Sequence, residues 1–139
     1  MSHTIRTLTP DDYTQFLALI CDFRETTFTE TEFVNTLEEI KKSSDIFVLE
    51  QEGKLIATGT VIYEHKFIFN LATLAHIEDV CVKKEFRRMG YGKLIVRHLV
   101  AQAKQRGCYK ITLDCNNSNV DFYKSCDFEV RGNQMSQLL

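Results

Sequence analysis

The apolar run Val80-Cys81-Val82 is followed by Arg87-Arg88-Met89-Gly90-Tyr91-Gly92, and then by Lys93-Leu94-Ile95-Val96 at the head of a helical pattern. This strand–loop–helix junction constrains the chain more than any other segment. Its two glycines permit a tight turn and let a ligand come close to the backbone amides. The helix that follows turns unpaired N–H groups and the positive end of its dipole toward the same spot. Such a spot holds phosphate or pyrophosphate, and Arg87, Arg88 and Lys93 surround it with mobile positive charge. A glycine pair before a helix also occurs as plain turn chemistry, so the loop alone leaves both readings open.

The 139 residues suit one domain with a single core, residues 1–139. No repeat, low-complexity tract or linker interrupts them, and Pro10 is the only proline. A short strand is predicted at 5–8. Thr9-Pro10-Asp11-Asp12 then opens a helix carrying Tyr13, Phe16, Leu17 and Ile20 on one stripe. Thr29-Glu30-Thr31-Glu32 is a second capping box, ahead of Phe33, Val34, Leu37 and Ile40. Strands at 45–51 and 55–63 flank the hairpin signal Glu52-Gly53-Lys54. Residues 66–69 read as β-like and 70–75 as a loop. Residues 76–82 form a core strand with two carboxylates inside it, Glu78 and Asp79. A helix over 91–106 stops at Gly107, and a strand at 109–115 follows. The segment 120–126 reads as a short helix and 128–135 as a last strand. The order β-α-α-β-β-β-α-β-α-β predicts an α/β layer fold around one mixed sheet.

Net charge is −2, from 17 basic and 19 acidic residues, which leaves no field large enough for a nucleic-acid scaffold. The apolar runs are too short for a membrane span. Met1-Ser2-His3-Thr4 has neither a charged leader nor an apolar targeting core, which points to the cytoplasm. Five cysteines with no C-x-x-C pattern point to free thiols, with Cys81 and Cys115 expected in buried strands. His65, His76 and His98 are too scattered for a metal site, so no metal is expected. The R-x-x-G-x-G spacing is not the G-x-G-x-x-G dinucleotide fingerprint, and no G-x-x-x-x-G-K-[ST] is present. NAD and ATP are therefore disfavoured.

The loop, the strand 80–82 before it, and Asn119-Val120-Asp121-Phe122-Tyr123 after it resemble the GNAT acetyltransferase superfamily. A narrower resemblance rests on His76-Ile77-Glu78-Asp79-Val80, on Gly107 to Cys115, on 119–124 and on Glu64-His65-Lys66-Phe67-Ile68. These stretches are similar to the eukaryotic glucosamine 6-phosphate N-acetyltransferases, most strongly over 56–128. The resemblance implies a GNAT fold and acetyl-CoA as co-substrate, with the acetyl group passing to the amine of glucosamine 6-phosphate on the way to UDP-N-acetylglucosamine. It implies a homodimer, to which the last strand contributes. It also implies that Val80, Cys81, Val82, Arg87, Arg88, Met89, Gly90, Tyr91, Gly92, Lys93, Asn119 and Tyr123 hold the CoA.

Acetyl transfer needs a free amine, a polarised carbonyl and a stabilised thiolate. A sugar amine titrates near about 8, so a proton acceptor at the site speeds its reaction, typically by about 10²–10⁴-fold. Glu78 and Asp79 point to opposite faces of a regular strand, and only a bulge would aim both at one cleft. Carboxylates inside an apolar strand are costly without partners, which favours function over a purely structural acid. The resemblance makes both substrate contacts, with Glu78 a water-mediated base assisted by the Asp79 backbone. It makes Asp114 a ligand of the sugar amine, where the residue-level alternative is a cap on the Asn116 turn. Tyr123 either donates its O–H to the departing sulfur, as the superfamily implies, or is a packed aromatic beside Phe122. Asn119 either contacts pantetheine or caps the short helix. Lys66, Tyr109 and Lys110 are candidates for the sugar and its phosphate, although a lone lysine is usually a solvated surface group.

Three departures stand out. Asp127 occupies a helix end where the family usually has glycine. The tail Met135-Ser136-Gln137-Leu138-Leu139 lacks the basic residue with which the family often reaches the sugar phosphate across a dimer interface. The segment 22–27 also differs from the family's pattern. Two rivals remain at this stage: a GNAT enzyme for another amine (peptide N-terminus, lysine or polyamine) and a non-catalytic acyl-CoA-binding module.

Overall fold

Glu52 and Gly53 set the register of the central hairpin. Both have positive φ, 51° and 77°, which gives a two-residue turn whose twist matches that of the strands it joins. Gln51 is thereby paired with Lys54, and strand β2 (Ser44–Gln51) runs antiparallel to β3 (Lys54–His65). The structure, a computed structural model describing residues 2–139, builds outward from this pair. Strand β1 (Thr4–Thr7) lies antiparallel to β2 and β4 (Thr73–Val82) antiparallel to β3. Strand β5 (Lys110–Leu113) is parallel to β4, giving the order β1-β2-β3-β4-β5.

The parallel pair needs a crossover, and helix α3 (Tyr91–Gln105) supplies it. Helices α1 (Tyr13–Phe23) and α2 (Glu30–Ile40) cover one face of the sheet through Phe16, Leu19, Phe33 and Leu37 on Ile46, Val48 and Leu55. Helix α3 covers the other through Ile95, Val96 and Leu99 on Phe47, Leu49 and Val61. Strand β2 is thus buried on both sides, which explains its nearly continuous apolar sequence. Each fully buried Leu, Ile or Val contributes about 1.5–3 kcal/mol.

Local signals behave as their chemistry dictates. Thr29 and Glu32 exchange capping hydrogen bonds of 2.8 and 3.1 Å at the start of α2. Pro10–Asp12 forms a single 3₁₀ turn before α1 begins. There Asp12 accepts from the Thr9 amide at 2.8 Å and from both Arg6 guanidinium nitrogens at 2.8 Å. The hydrogen bonds from Arg6 hold the Asp12 carboxyl below the usual carboxylate range. Gly107 closes α3 with φ 74°. The short helix α4 covers Val120–Lys124 and ends before Asp127, which takes the left-handed φ of 70° usual for glycine.

Three expectations fail. Residues 66–69 are not a strand and 73–75 are not a loop: β3 runs on to His65, β4 starts at Thr73, and the connection turns through Phe69, Asn70 and Leu71 at φ 54°, 58° and 62°. Phe67, Ile68, Phe69 and Leu71 are exposed there, so their apolar character does not report burial. Residues 128–135 form no strand among the described residues. The tail lines a groove beside β5 without joining its ladder. Cys115 is exposed because β5 ends at Leu113, whereas Cys81 is buried as expected; all five thiols are free.

One irregularity in the sheet positions everything that follows. Thr58 pairs with Cys81 but Thr60 pairs with Glu78, so Asp79 and Val80 together oppose the single residue Gly59. This is a β-bulge, and Asp79 takes φ 53° within it. Gly59 sits directly under α3: a Cβ there would lie 2.9 Å from Leu99 Cδ1 and 3.5 Å from both Ile95 Cγ1 and Val80 Cγ2. Gly59→Val is therefore expected to destabilise the fold by about 1–3 kcal/mol through overpacking, read as a lower urea midpoint. A midpoint equal to wild type would show that Leu99 and Ile95 yield without cost.

Candidate active site

Pairing between β4 and β5 ends at Ile77 and Leu113, although β4 continues to Val82. Strand β5 stops at that point, and the β5-facing edge of Glu78–Val82 is left without a ladder partner among the described residues. Along this stretch Val80 and Val82 pack on the α3 side, whereas Cys81 joins the α1 side. The Cys81 thiol is buried against the Leu19 carbonyl, and burial pushes it up to about 12. It is no nucleophile, and only its backbone is available to a ligand.

At the end of β4 the chain turns through Lys84–Phe86 and Arg88 (φ 63°) to Gly90 (φ 88°), the N-cap of α3. The first amides of α3 have no intrahelical acceptor and face the loop. Arg87 donates to the Val82 carbonyl at 3.1 Å, tying the loop to the strand. Arg87, Arg88 and Lys93 make no ion pair among the described residues, so their charge remains available. Met89 is exposed. The Tyr91 hydroxyl donates to Gln51 Oε1 at 2.9 Å, which commits that side chain to the sheet. A Cβ at Gly92 would stand 3.2 Å from Phe122, so the missing side chain lets α4 close against α3.

The bulge aims Glu78 and Asp79 into the same region. Both line a cavity of about 520 Å³ between the sheet and α1–α2, whose walls include Phe16, Ile20, Phe33 and Ile62. Burial first, and the Glu78 charge second, hold the Asp79 carboxyl above its ordinary value. On the other side of the unpaired edge, Asp114 and Tyr123 line a groove of about 990 Å³ between α3, β5 and residues 126–134. Burial pushes the Tyr123 phenol up to about 12, with smaller contributions from Cys115, Cys126 and Glu78.

His76 links the two sides. Its Nε2 lies 2.9 Å from Glu78 Oε1 and 3.8 Å from Asp114 Oδ2, and its Nδ1 lies 2.9 Å from Thr112 Oγ1. Ligand atoms of His76, Glu78 and Asp114 all fall within 4.8 Å of one another, close enough to share one cation. Asp114 therefore turns toward His76 rather than toward the Asn116 turn. Sequence reasoning passed over His76 and Thr112. The signal for His76 was the two-residue spacing to Glu78, which puts both on one strand face; the cross-strand register to Thr112 has no local signature.

Asn119 is exposed at the start of α4, and its side chain makes no cap hydrogen bond. Lys66 pairs with Glu64, whose carboxyl it holds low, and lies near Tyr109. Lys110 sits over the Tyr109 ring, 5.6 Å from its centroid. These three gather at the start of β5, four residues from Asp114, or on the order of 13 Å along an extended strand. Lys110 lines the same groove as Asp114 and Tyr123, at its other end, whereas Lys66 and Tyr109 do not line it.

An anion-suited helix start, an unpaired strand edge and a carboxylate cluster thus lie along the C-terminal half of β4. Residues 6–128 match the Acetyltransferase (GNAT) family model. The chain is 37% identical to glucosamine 6-phosphate N-acetyltransferase 1 of Dictyostelium discoideum, covering 96% of this chain and 88% of that protein. It is 42% identical to the Arabidopsis thaliana glucosamine 6-phosphate N-acetyltransferase over 78% of this chain and 76% of that one. The crystal structure of the glucosamine-6-phosphate N-acetyltransferase from Arabidopsis thaliana superimposes with a TM-score of 0.94 at 37% identity, covering 99% of both chains. The chain belongs to the GNAT acetyltransferase family, within which these relatives are glucosamine 6-phosphate N-acetyltransferases.

Proposed function

We propose that this chain transfers the acetyl group of acetyl-CoA to the amine of glucosamine 6-phosphate, giving N-acetylglucosamine 6-phosphate and CoA. The observation that carries the acceptor side of this reading is the meeting of Glu78, Asp114 and His76 within 4.8 Å. Two carboxylates that close repel each other unless a cation joins them. An amine that arrives largely protonated supplies that cation, and it then needs an acceptor for its proton before it can attack. Neither a hydroxyl nor a carboxylate acceptor would be drawn there.

On the donor side, the α3 amides with Arg87, Arg88 and Lys93 hold the pyrophosphate, and Gly90 and Gly92 allow its close approach. Val80, Cys81 and Val82 offer their backbone edge to the pantetheine arm, and Asn119 an unspent amide side chain. The amine nitrogen bonds to the thioester carbonyl carbon while the carbon–sulfur bond breaks. The amine proton passes to Glu78, directly or through water, with Asp114 orienting the nucleophile and Asp79 beside it. Tyr123 gives its phenolic proton to the departing sulfur and regains one from the acylated nitrogen as the amide forms; a phenol pushed up to about 12 remains protonated at neutral pH.

The sugar phosphate requires a cation near the carboxylates. Lys66 and Lys110 offer one, with the Tyr109 hydroxyl beside them, but a full strand length from Asp114 in the same chain. A homodimer that brings one chain's basic group to the other's carboxylates resolves this distance, and the four-residue β5 edge with the exposed Val130 across the groove from it is suited to such pairing. We read the protein as a single-domain cytoplasmic enzyme, residues 1–139, supplying UDP-N-acetylglucosamine synthesis, with no nucleic-acid or membrane partner and no metal in its mechanism. No helix among the described residues is long and apolar enough to cross a membrane.

Acetyl-CoA turnover with glucosamine 6-phosphate against unphosphorylated glucosamine tests the assignment. A strong preference for the phosphosugar is expected, and equal rates would sink it in favour of another amine. Tyr123→Phe is expected to lower kcat about 10²-fold with little change in KM for acetyl-CoA; an unchanged kcat would return Tyr123 to packing. Asp79→Asn has a sign set by linkage. Because the folded state raises this carboxyl's pKa, its contribution to stability is full below the unfolded value of about 3.9 and is lost as pH rises through the folded value. The variant should therefore melt higher than wild type at pH 7, with the gap closing below about pH 4. A lower melting point at pH 7 would mean that the charged form is held by partners.

A further inference from the structure

We propose that His76 is a positioning residue for acetyl transfer, a neutral imidazole fixed by Thr112 that clamps the Glu78 carboxylate beside Asp114. The assignment rests on acetyl transfer with Glu78 as a carboxylate of the acceptor site. His76 stands opposite Thr112 in the parallel register of β4 and β5, at the second-last pair before the ladder ends. Its side chain is about a quarter exposed, while those of Glu78 and Asp114 are about half exposed. The ring is thus the anchored member of the cluster and the carboxylates are the members that need holding.

For a neutral ring, the chemistry of the contacts selects one tautomer. An ionised Glu78 can only accept a hydrogen bond, so His76 Nε2 at 2.9 Å carries the proton. In the neutral ring Nδ1 is then an acceptor, and the Thr112 hydroxyl at 2.9 Å donates to it. Thr112 has a free choice of hydroxyl direction and can meet this demand. The result is a relay of orientation across two strands: backbone register places Thr112, Thr112 fixes the ring, and the ring fixes Glu78 Oε1. The second carboxylate oxygen, Oε2, is left for the amine.

A neutral N–H suits this position better than a full cation would. Asp114 Oδ2 lies 3.8 Å from the same Nε2, so the N–H dipole eases the repulsion between both carboxylates. A lysine or arginine there would neutralise the pair and repel the incoming ammonium group. The imidazole holds the geometry while leaving the negative charge that draws the amine in. A mispositioned carboxylate lowers the rate through lost alignment rather than lost binding.

Two substitutions separate the ring's two contacts. Asparagine carries a polar atom near the Nδ1 position and keeps a bond to Thr112, whereas glutamine reaches the Nε2 position and keeps a donor for Glu78. His76→Asn is expected to lower kcat by about 10- to 100-fold with KM for acetyl-CoA unchanged, and His76→Gln to recover most of that loss. Glutamine no better than asparagine, or asparagine equal to wild type, would overturn the assignment. Wild-type turnover is measured first, on glucosamine 6-phosphate and on other amines, so that a wrong acceptor shows there and the variants are compared on whichever amine reacts. Ring ¹⁵N shifts of His76 in the unliganded wild-type protein give a readout independent of turnover. A protonated Nε2 with a bare Nδ1 is expected, and the opposite tautomer removes the clamp.

Discussion

The extra residue in β4 opposite Gly59 is the constraint on which the rest of the structure depends. A regular strand would send Glu78 to one face of the sheet and Asp79 to the other. It would also keep β4 in step with its neighbours. The bulge turns both acidic residues toward the α1–α2 cavity. It comes one residue beyond the last β4–β5 pair, Ile77 with Leu113, so the bulge and the end of that ladder fall together. Gly59 lets α3 lie close over the bulge, because a Cβ there would come within 2.9 Å of Leu99 Cδ1. Packing of α3 on the sheet and exposure of the carboxylates are therefore settled by one local geometry.

The arrangement carries an internal cost. Asp79 holds a left-handed backbone angle, unusual for a residue with a side chain, and its carboxyl is raised by burial and by Glu78. Glu78 and Asp114 approach each other with only the His76 ring between them. Strain and unfavourable charge in one place are typical of sites whose binding energy is completed by a ligand. The structural carboxylate Asp12 shows the opposite pattern, being held low by hydrogen bonds from Arg6 and Thr9. The same residue type is stabilised where it serves the fold and destabilised where the acceptor would bind.

Legibility in the sequence followed the range of the interaction. Contacts within a few residues were readable: the Thr29–Glu32 box, the Glu52-Gly53 turn, the Gly107 stop and the glycine loop before α3 all report local backbone chemistry. The bulge was visible only as a condition, since Glu78-Asp79 in an apolar strand could share a cleft in no other way. Contacts set by register were not readable. Thr112 faces His76 because β4 and β5 are parallel and offset by 36 residues, which no window of sequence records. The apolar segments 66–69 and 128–135 misled for a related reason. Hydrophobic sequence predicts a strand only where a neighbour offers hydrogen bonds, and Phe67, Phe69, Val130 and Met135 remain exposed.

The distance between the two halves of the site narrows the ligand further than either half does. From Glu78 to Val82 is roughly 13 Å of extended chain, and the loop with its helix amides lies beyond. A small anion bound at that loop would never meet the carboxylates. A ligand serving both must be long, anionic at one end and reactive at the other, and slender enough to run along the unpaired edge of β4. A nucleotide whose phosphates carry the reactive group directly is too short for this span. A thioester on an extended arm fits it, and the carboxylates at the far end suit an amine as the group that meets its carbonyl. The loop thus constrains the donor, and the bulge, by placing Glu78 where His76 and Asp114 can reach it, constrains the acceptor.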